Sequence, residues 1–239
     1  HNGHISLIKK SQKKCKKTIV SIFINPTQFN DKNDFDNYPK NFDKDIIILK
    51  KLKVDYVFIP NVNEIYKSKN NKINLLKKDK ILCAKFRKGH FEGVLNVMNR
   101  LLKIVKAKKV FMGDKDFQQL FLIKKYLSKK HNIQIINCKT IRDKKCVALS
   151  TRNKLLSKNE YYKVTLITNF LIKLKKKIMH KKLLINLGNI AANLENIYKI
   201  KIDYLEVRNE NNLLLTNFKK RYRLFIAYKI GKIRLIDNF

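Results

Sequence analysis

Tryptophan is absent from the 239 residues, proline occurs 3 times, glycine 6 times, and 18 acidic side chains face 55 lysines and arginines. No apolar run approaches the ~20 residues needed to span a bilayer, because lysine or asparagine interrupts each one; a soluble protein without membrane attachment is expected. Cys15, Cys83, Cys138 and Cys146 show no CxxC spacing and no paired histidine at ligand distance. That argues against zinc and against a disulfide framework, and it fits a reducing cytoplasm.

The shortage of acids leaves a formal charge of +37, which ordinarily points to nucleic acid or an anionic membrane. Here lysine supplies nearly all of the excess and is scattered through every segment, whereas nucleic-acid surfaces gather Arg and Lys on one face with aromatic platforms. Abundant Lys, Asn, Ile and Phe beside little Gly and Pro is the mark of an AT-rich coding sequence. No specific nucleic-acid partner is expected, only incidental polyanion binding that collapses with salt.

What is present is a chain long enough for one large or two modest domains, 44% hydrophobic and without internal repeats. Residues 18–24 form a β-branched apolar run ending at Asn25-Pro26, and 54–59 form a second before Pro60; both read as buried strands. Helical spacing covers 43–53, 93–103 and 118–128, with short strands at 109–112 and 133–136. This alternation predicts an α/β fold, a Rossmann-like parallel sheet with helices on both faces, over a domain at 1–140. Helices at 157–182 and 183–200 and strands at 202–207 and 222–228 predict a smaller C-terminal α+β domain at 141–239. The chain opens without the strand that should lead into His1, so an N-terminal truncation or a segment before His1 is expected.

His1-Asn2-Gly3-His4 sets two imidazoles at a helix start, where unsatisfied N–H groups and the helix dipole favour polyphosphate. It resembles the HIGH-type signature of nucleotidyltransferases. Asn25-Pro26-Thr27-Gln28-Phe29 and Gly113-Asp114-Lys115-Asp116 each follow a strand, and ligands of parallel sheets bind at the carboxyl ends of strands. With HNGHISL, VSIFINPTQFNDKNDFDNYPK, FRKGHFEGV, VFMGDKDFQQL, ALSTRN and IGKIRLIDN in order along the whole chain, the sequence resembles the pantothenate synthetase (pantoate–beta-alanine ligase) family.

The resemblance implies ATP-dependent ligation of (R)-pantoate to beta-alanine through a pantoyl adenylate, with Mg2+, in a homodimer. It implies ATP binding by His1, Asn2, Gly3, His4, Gly113, Asp114, Lys115, Asp116, Ile141, Leu149, Ser150, Thr151 and Arg152. His4 matches the family's proton donor, Gln28 and Gln119 the pantoate ligands, and Gln28 also a beta-alanine contact; the magnesium ligands are not identified. An imidazole of pKa roughly 6.5 can donate a proton near neutrality, or act only as a neutral hydrogen-bond donor. Asp114 stands where the family usually has Glu, Thr151 for the second Ser of the loop, Lys88 for Pro, and Asn33 where an acid is common. Arg87 and His90 match positions near the active site, and Asp34 reads as structural or dimer-related.

Other readings stay open. HNGH alone permits transfer of AMP or CMP to a phosphorylated small molecule, although two glutamines suit a carboxylate and hydroxyl substrate better. Charge alone permits a basic nucleic-acid-binding protein. An inactive relative is opposed by motif retention, while a missing first strand would expose a sheet edge.

Overall fold

The computed structural model describes residues 1–28, 41–67, 72–181, 186–216 and 221–239. Two compact units divide the chain near residue 140, one within Asn2–Lys139 and the other within Thr140–Phe239.

In the first unit, helix α1 (Asn2–Lys14) carries Lys13 and Lys14 in its last turn, where cations complement the dipole. It packs on β3 (Lys109–Gly113) and β4 (Gln134–Cys138). Lys10 Nζ donates to the Asn137 carbonyl at 2.5 Å, and Gln12 Nε2 to the Leu52 carbonyl at 2.7 Å. Strands β1 (Ile19–Ser21) and β2 (Tyr56–Phe58) pair in parallel, as do β3 and β4. Between them lie α2 (Phe42–Lys51), α3 (Val62–Tyr66), α4 (Cys83–Phe86) and α5 (His90–Val105), while α6 (Phe117–Leu127) links β3 to β4. Parallel strands joined through helices are the α/β architecture expected.

The strands at 18–24 and 54–59 are shorter and wetter than anticipated. Ile19, Tyr56 and Val57 are 38%, 57% and 39% exposed. A parallel strand becomes dry only when helices cover both faces. Among the described residues no ladder joins β1–β2 to β3–β4, and Leu49 alone is buried from α2 while Ile47 and Ile48 face water.

The second unit is α+β. Helix α7 (Lys158–Lys181) buries Val164, Ile167, Leu171, Leu174 and Ile178, a three-and-four spacing that draws one stripe along the helix. The stripe meets Leu205 and Val207 of β5 (Lys201–Asn209) and Leu224, Ile226, Tyr228 and Ile230 of β6 (Tyr222–Ile230). Each such side chain contributes about 1.5–3 kcal/mol on burial. Helix α8 (Leu187–Tyr198) leads into β5. Strand β7 (Ile233–Asn238) completes the antiparallel order β5-β6-β7. β7 lies beyond the strands expected at 202–207 and 222–228, and Gly231-Lys232 between Ile230 and Ile233 is the two-residue hairpin turn that leads into it. Gly231 has φ +53°, and a Cβ there would meet Glu160 Oε1 at 2.6 Å. Glu160 in turn caps α7 by accepting from Ser157 N at 2.8 Å.

Candidate active site

The first turn of α1 contains no acidic residue, and a helix dipole favours negative charge at such a start. His1 and Asn2 are exposed and Gly3 is half-buried. His4 keeps an exposed surface, yet protein crowds the rest of the ring. That desolvation pushes its pKa below the ordinary 6.5, the terminal ammonium of His1 adds to it, Asp116 opposes, and Lys115 acts least, in the lowering direction. Helix α1 packs on β3, and the turn that follows β3 carries both Lys115 and Asp116.

That turn is a short 3₁₀ segment, Asp114–Asp116, held between the end of β3 and the start of α6. Lys115 Nζ lies 3.4 Å from Asp116 Oδ1, with the Lys115 side chain 20% exposed. Gly113 has φ −77° and ψ 135°, a conformation open to any residue, and an added Cβ would meet no atom within 4 Å. Nothing in the fold demands glycine here; close approach of a ligand would. Lys115 and Asp116 thus flank open space at the carboxyl end of β3, the strand on which α1 packs.

The Asn25–Gln28 segment follows β1 as a second 3₁₀ turn, Pro26–Gln28. Asn25 is 1% exposed, and its Oδ1 accepts from Thr27 N at 3.3 Å, Thr27 Oγ1 at 3.0 Å and Tyr66 Oη at 2.7 Å. Its Nδ2 faces the Gly93 carbonyl at 3.4 Å. A Cβ on Gly93 would stand 2.5 Å from the Thr27 carbonyl oxygen, so only glycine lets α5 approach the turn this closely. The side chain of Gln28, with Phe29, Asn33 and Asp34, lies outside the described residues.

Gln119 sits half-buried in the first turn of α6. Its neighbour Gln118 is structural, accepting from Cys83 N at 3.0 Å and donating to the Ile81 carbonyl at 2.7 Å. At the other end of α6, Lys125 Nζ and Tyr126 Oη both donate to buried Asp79, each at 2.6 Å. Helix α5 packs against both α6 and the Pro26–Gln28 turn. At its start, buried His90 contacts Arg87, Nε2 to Nη1, at 2.9 Å. Asn25, Tyr66 and Gly93 were not singled out from sequence; a lone glycine inside a helical pattern was the available signal.

The second unit holds the remaining candidates. Leu149 N donates to the Ile141 carbonyl at 2.9 Å, and Arg142 bridges to Ala148, closing a small hairpin. Arg142 makes a bidentate pair with Asp237, 2.7 and 2.8 Å, and also donates to the Cys146 and Asn238 carbonyls. Ser150 caps the 3₁₀ segment Thr151–Leu155, its Oγ accepting from Arg152 N at 3.3 Å. Leu149, Ser150, Thr151 and Arg152 are all half-buried.

Residues 1–239 match the family model described as pantoate-beta-alanine ligase. A pantothenate synthetase of Ruthia magnifica is 40% identical over 241 residues, covering 100% of this chain and 86% of that protein. A bifunctional pantoate ligase/cytidylate kinase of Prochlorococcus marinus is 42% identical over 245 residues; this chain spans 48% of its length. Among solved structures, the pantoate-beta-alanine ligase of Francisella tularensis, complexed with beta-gamma ATP and beta-alanine, has a TM-score of 0.84 at 39% identity. The likeness covers 100% of this chain and 85% of that one.

Proposed function

The chain belongs to the pantoate-beta-alanine ligase family, and on that premise we propose how its residues carry out the ATP-dependent condensation of pantoate with beta-alanine. Pantoate's carboxylate oxygen attacks the α-phosphorus of ATP; the bond from that phosphorus to the bridging oxygen breaks, and pyrophosphate departs. The amine of beta-alanine then attacks the acyl carbon of pantoyl adenylate. An amide forms, AMP leaves and the nitrogen gives up a proton.

The first step brings anion to anion, so cations and fixed dipoles must face the charge of the transition state. The observation that carries this reading is the packing of α1, the helix of His4, on β3, whose carboxyl end holds Lys115 and Asp116 beside the open space at Gly113. In it, α1 and Lys115 hold the phosphates, Gly113 admits the nucleotide, and His4 gives a hydrogen bond or a proton to the departing pyrophosphate. Asp116 orients Lys115 or a ribose hydroxyl. Ile141, Leu149, Ser150, Thr151 and Arg152 contribute a second ATP-binding segment, Arg152 through a guanidinium fork suited to phosphate. Gln28 and Gln119 bind pantoate, and Gln28 also beta-alanine. Within this reading residues 1–140 are the nucleotide domain and 141–239 the smaller domain.

Magnesium, when bound, would share the neutralisation of the phosphates' charge. Among the described residues no group of three or more His, Cys, Asp or Glu could hold an ion, so phosphate and water would supply most ligands, as is usual for this ion, with Asp114 and Asp116 the acids at the turn. A homodimer in the cytoplasm completes the reading; it rests on the family resemblance and on cysteines that are free.

The test is ATP–pyrophosphate exchange with and without pantoate, omitting beta-alanine. Exchange that requires pantoate, and that falls on the order of 10²-fold or more in Lys115→Ala and Arg152→Ala while both variants stay folded, is the expected result. Exchange indifferent to pantoate, or undiminished in both variants, would defeat the assignment.

A further inference from the structure

The buried amide of Asn25 is the junction on which the Pro26–Gln28 turn depends, and one of its partners comes from a distant helix. Tyr66 closes α3, 41 positions further along the chain, and its hydroxyl reaches Asn25 Oδ1 at 2.7 Å. That hydroxyl also lies 3.1 Å from Thr27 Oγ1. Each hydroxyl has a single proton, and both oxygens stand within bonding distance of Asn25 Oδ1, so the amide oxygen draws three donors to one point while the amide nitrogen faces Gly93. The ring of Tyr66 is itself held: the Arg100 guanidinium stacks 4.8 Å from its centroid and donates to the Ile65 carbonyl at 3.1 Å. The N-terminus of α3 is fixed by a reciprocal cap, Asn61 with Glu64. On the opposite side Gly93 leaves no slack against Thr27.

We propose that Tyr66 is a positioning residue for the pantoate side of the reaction: through Asn25 it sets the backbone of the Pro26–Gln28 turn, to which Gln28 belongs, and it leaves the ATP side untouched. This rests on the function proposed above. The geometry supports the division, because the turn and its supports, Asn25, Tyr66, Arg100 and Gly93, belong to α3, α5 and the end of β1, whereas His4 and Lys115 stand on α1 and the turn after β3.

Tyr66→Phe removes one donor and leaves Asn25 Oδ1 with two, so the fold is retained. The variant should raise KM for pantoate by about tenfold, the loss of roughly one hydrogen bond, with KM for ATP within about twofold of the parent. Thr27→Val acts on the same oxygen, and its effect on pantoate KM should combine non-additively with that of Tyr66→Phe. Equal increases in both KM values, unchanged KM values, or simple additivity would each overturn the proposal. If the parent enzyme shows no pantoate-dependent exchange, the function fails but the positioning claim is still read by amide hydrogen exchange. Thr27 and Gln28 should then exchange faster in Tyr66→Phe, while the amides of residues 114–116 do not; unchanged exchange at Thr27 and Gln28 refutes it.

Discussion

His4 and Gly113 pose opposite questions about a single side chain. Folding costs His4 part of its proton affinity, because protein crowds the ring. The folded state therefore prefers neutral imidazole, and as pH falls below the ordinary 6.5 the unfolded chain takes up the proton first, so this group erodes stability on the acid side and has no effect well above it. In the proposed site ATP would reverse the local balance by bringing negative phosphates to the ring. An NMR titration of His4 should place its midpoint below 6.5 in the free protein and higher with ATP bound. An unchanged midpoint would separate His4 from the phosphates. Gly113→Ala tests the neighbouring void. The backbone there suits alanine and no protein atom resists the methyl group, so thermal stability should hold or rise by about 0.4–1 kcal/mol. The same methyl group would occupy ligand space, and KM for ATP should increase; a loss of stability with unaltered KM would mean that the glycine serves the fold.

At the scale of elements, the hairpin at 141–149 is tied to β7 by the Arg142–Asp237 pair, whose carboxylate side chain is only 10% exposed. Removing one partner of such a pair strands the other. Asp237→Ala should lower the stability of the second unit by about 3 kcal/mol in denaturant melts; a change under about 1 kcal/mol would show the pair to be dispensable. Arg142 and Asp237 also illustrate what periodicity could not reveal. The helix at 157–182 was legible because helical spacing is local in sequence, and short apolar runs marked each parallel strand to within a few residues. Strand β7 went unseen because its charged Arg234 and Asp237 interrupt the apolar pattern. Both carry partners from elsewhere, Asp203 for Arg234 and Arg142 for Asp237, and such pairing has no local signature. The candidate site divides similarly. Histidines at a helix start and a Gly-Asp-Lys-Asp turn after a strand can be read from spacing and chemistry, whereas the Asn25–Tyr66–Gly93 junction joins residues 41 and 68 positions from Asn25.

Over the whole molecule, charge is the dominant property. With +37 formal charges and lysine scattered through every segment, binding to polyanions without selection among them is expected. Mixed-sequence DNA should bind at 50 mM salt and lose affinity on the order of 10³-fold by 200 mM, as counterion release requires. Fluorescence anisotropy would show this, and salt-resistant, sequence-selective binding would instead reveal a dedicated nucleic-acid site. Distance along the chain has a consequence in time as well. Arg142 waits for Asp237, 95 positions later, and translation at about 5–20 residues per second puts roughly 5–20 s between them. During that interval α7 and β5 can already form, yet the hairpin at 141–149 still lacks its tie to β7, so on the ribosome it is among the last parts of the second unit to acquire its final shape.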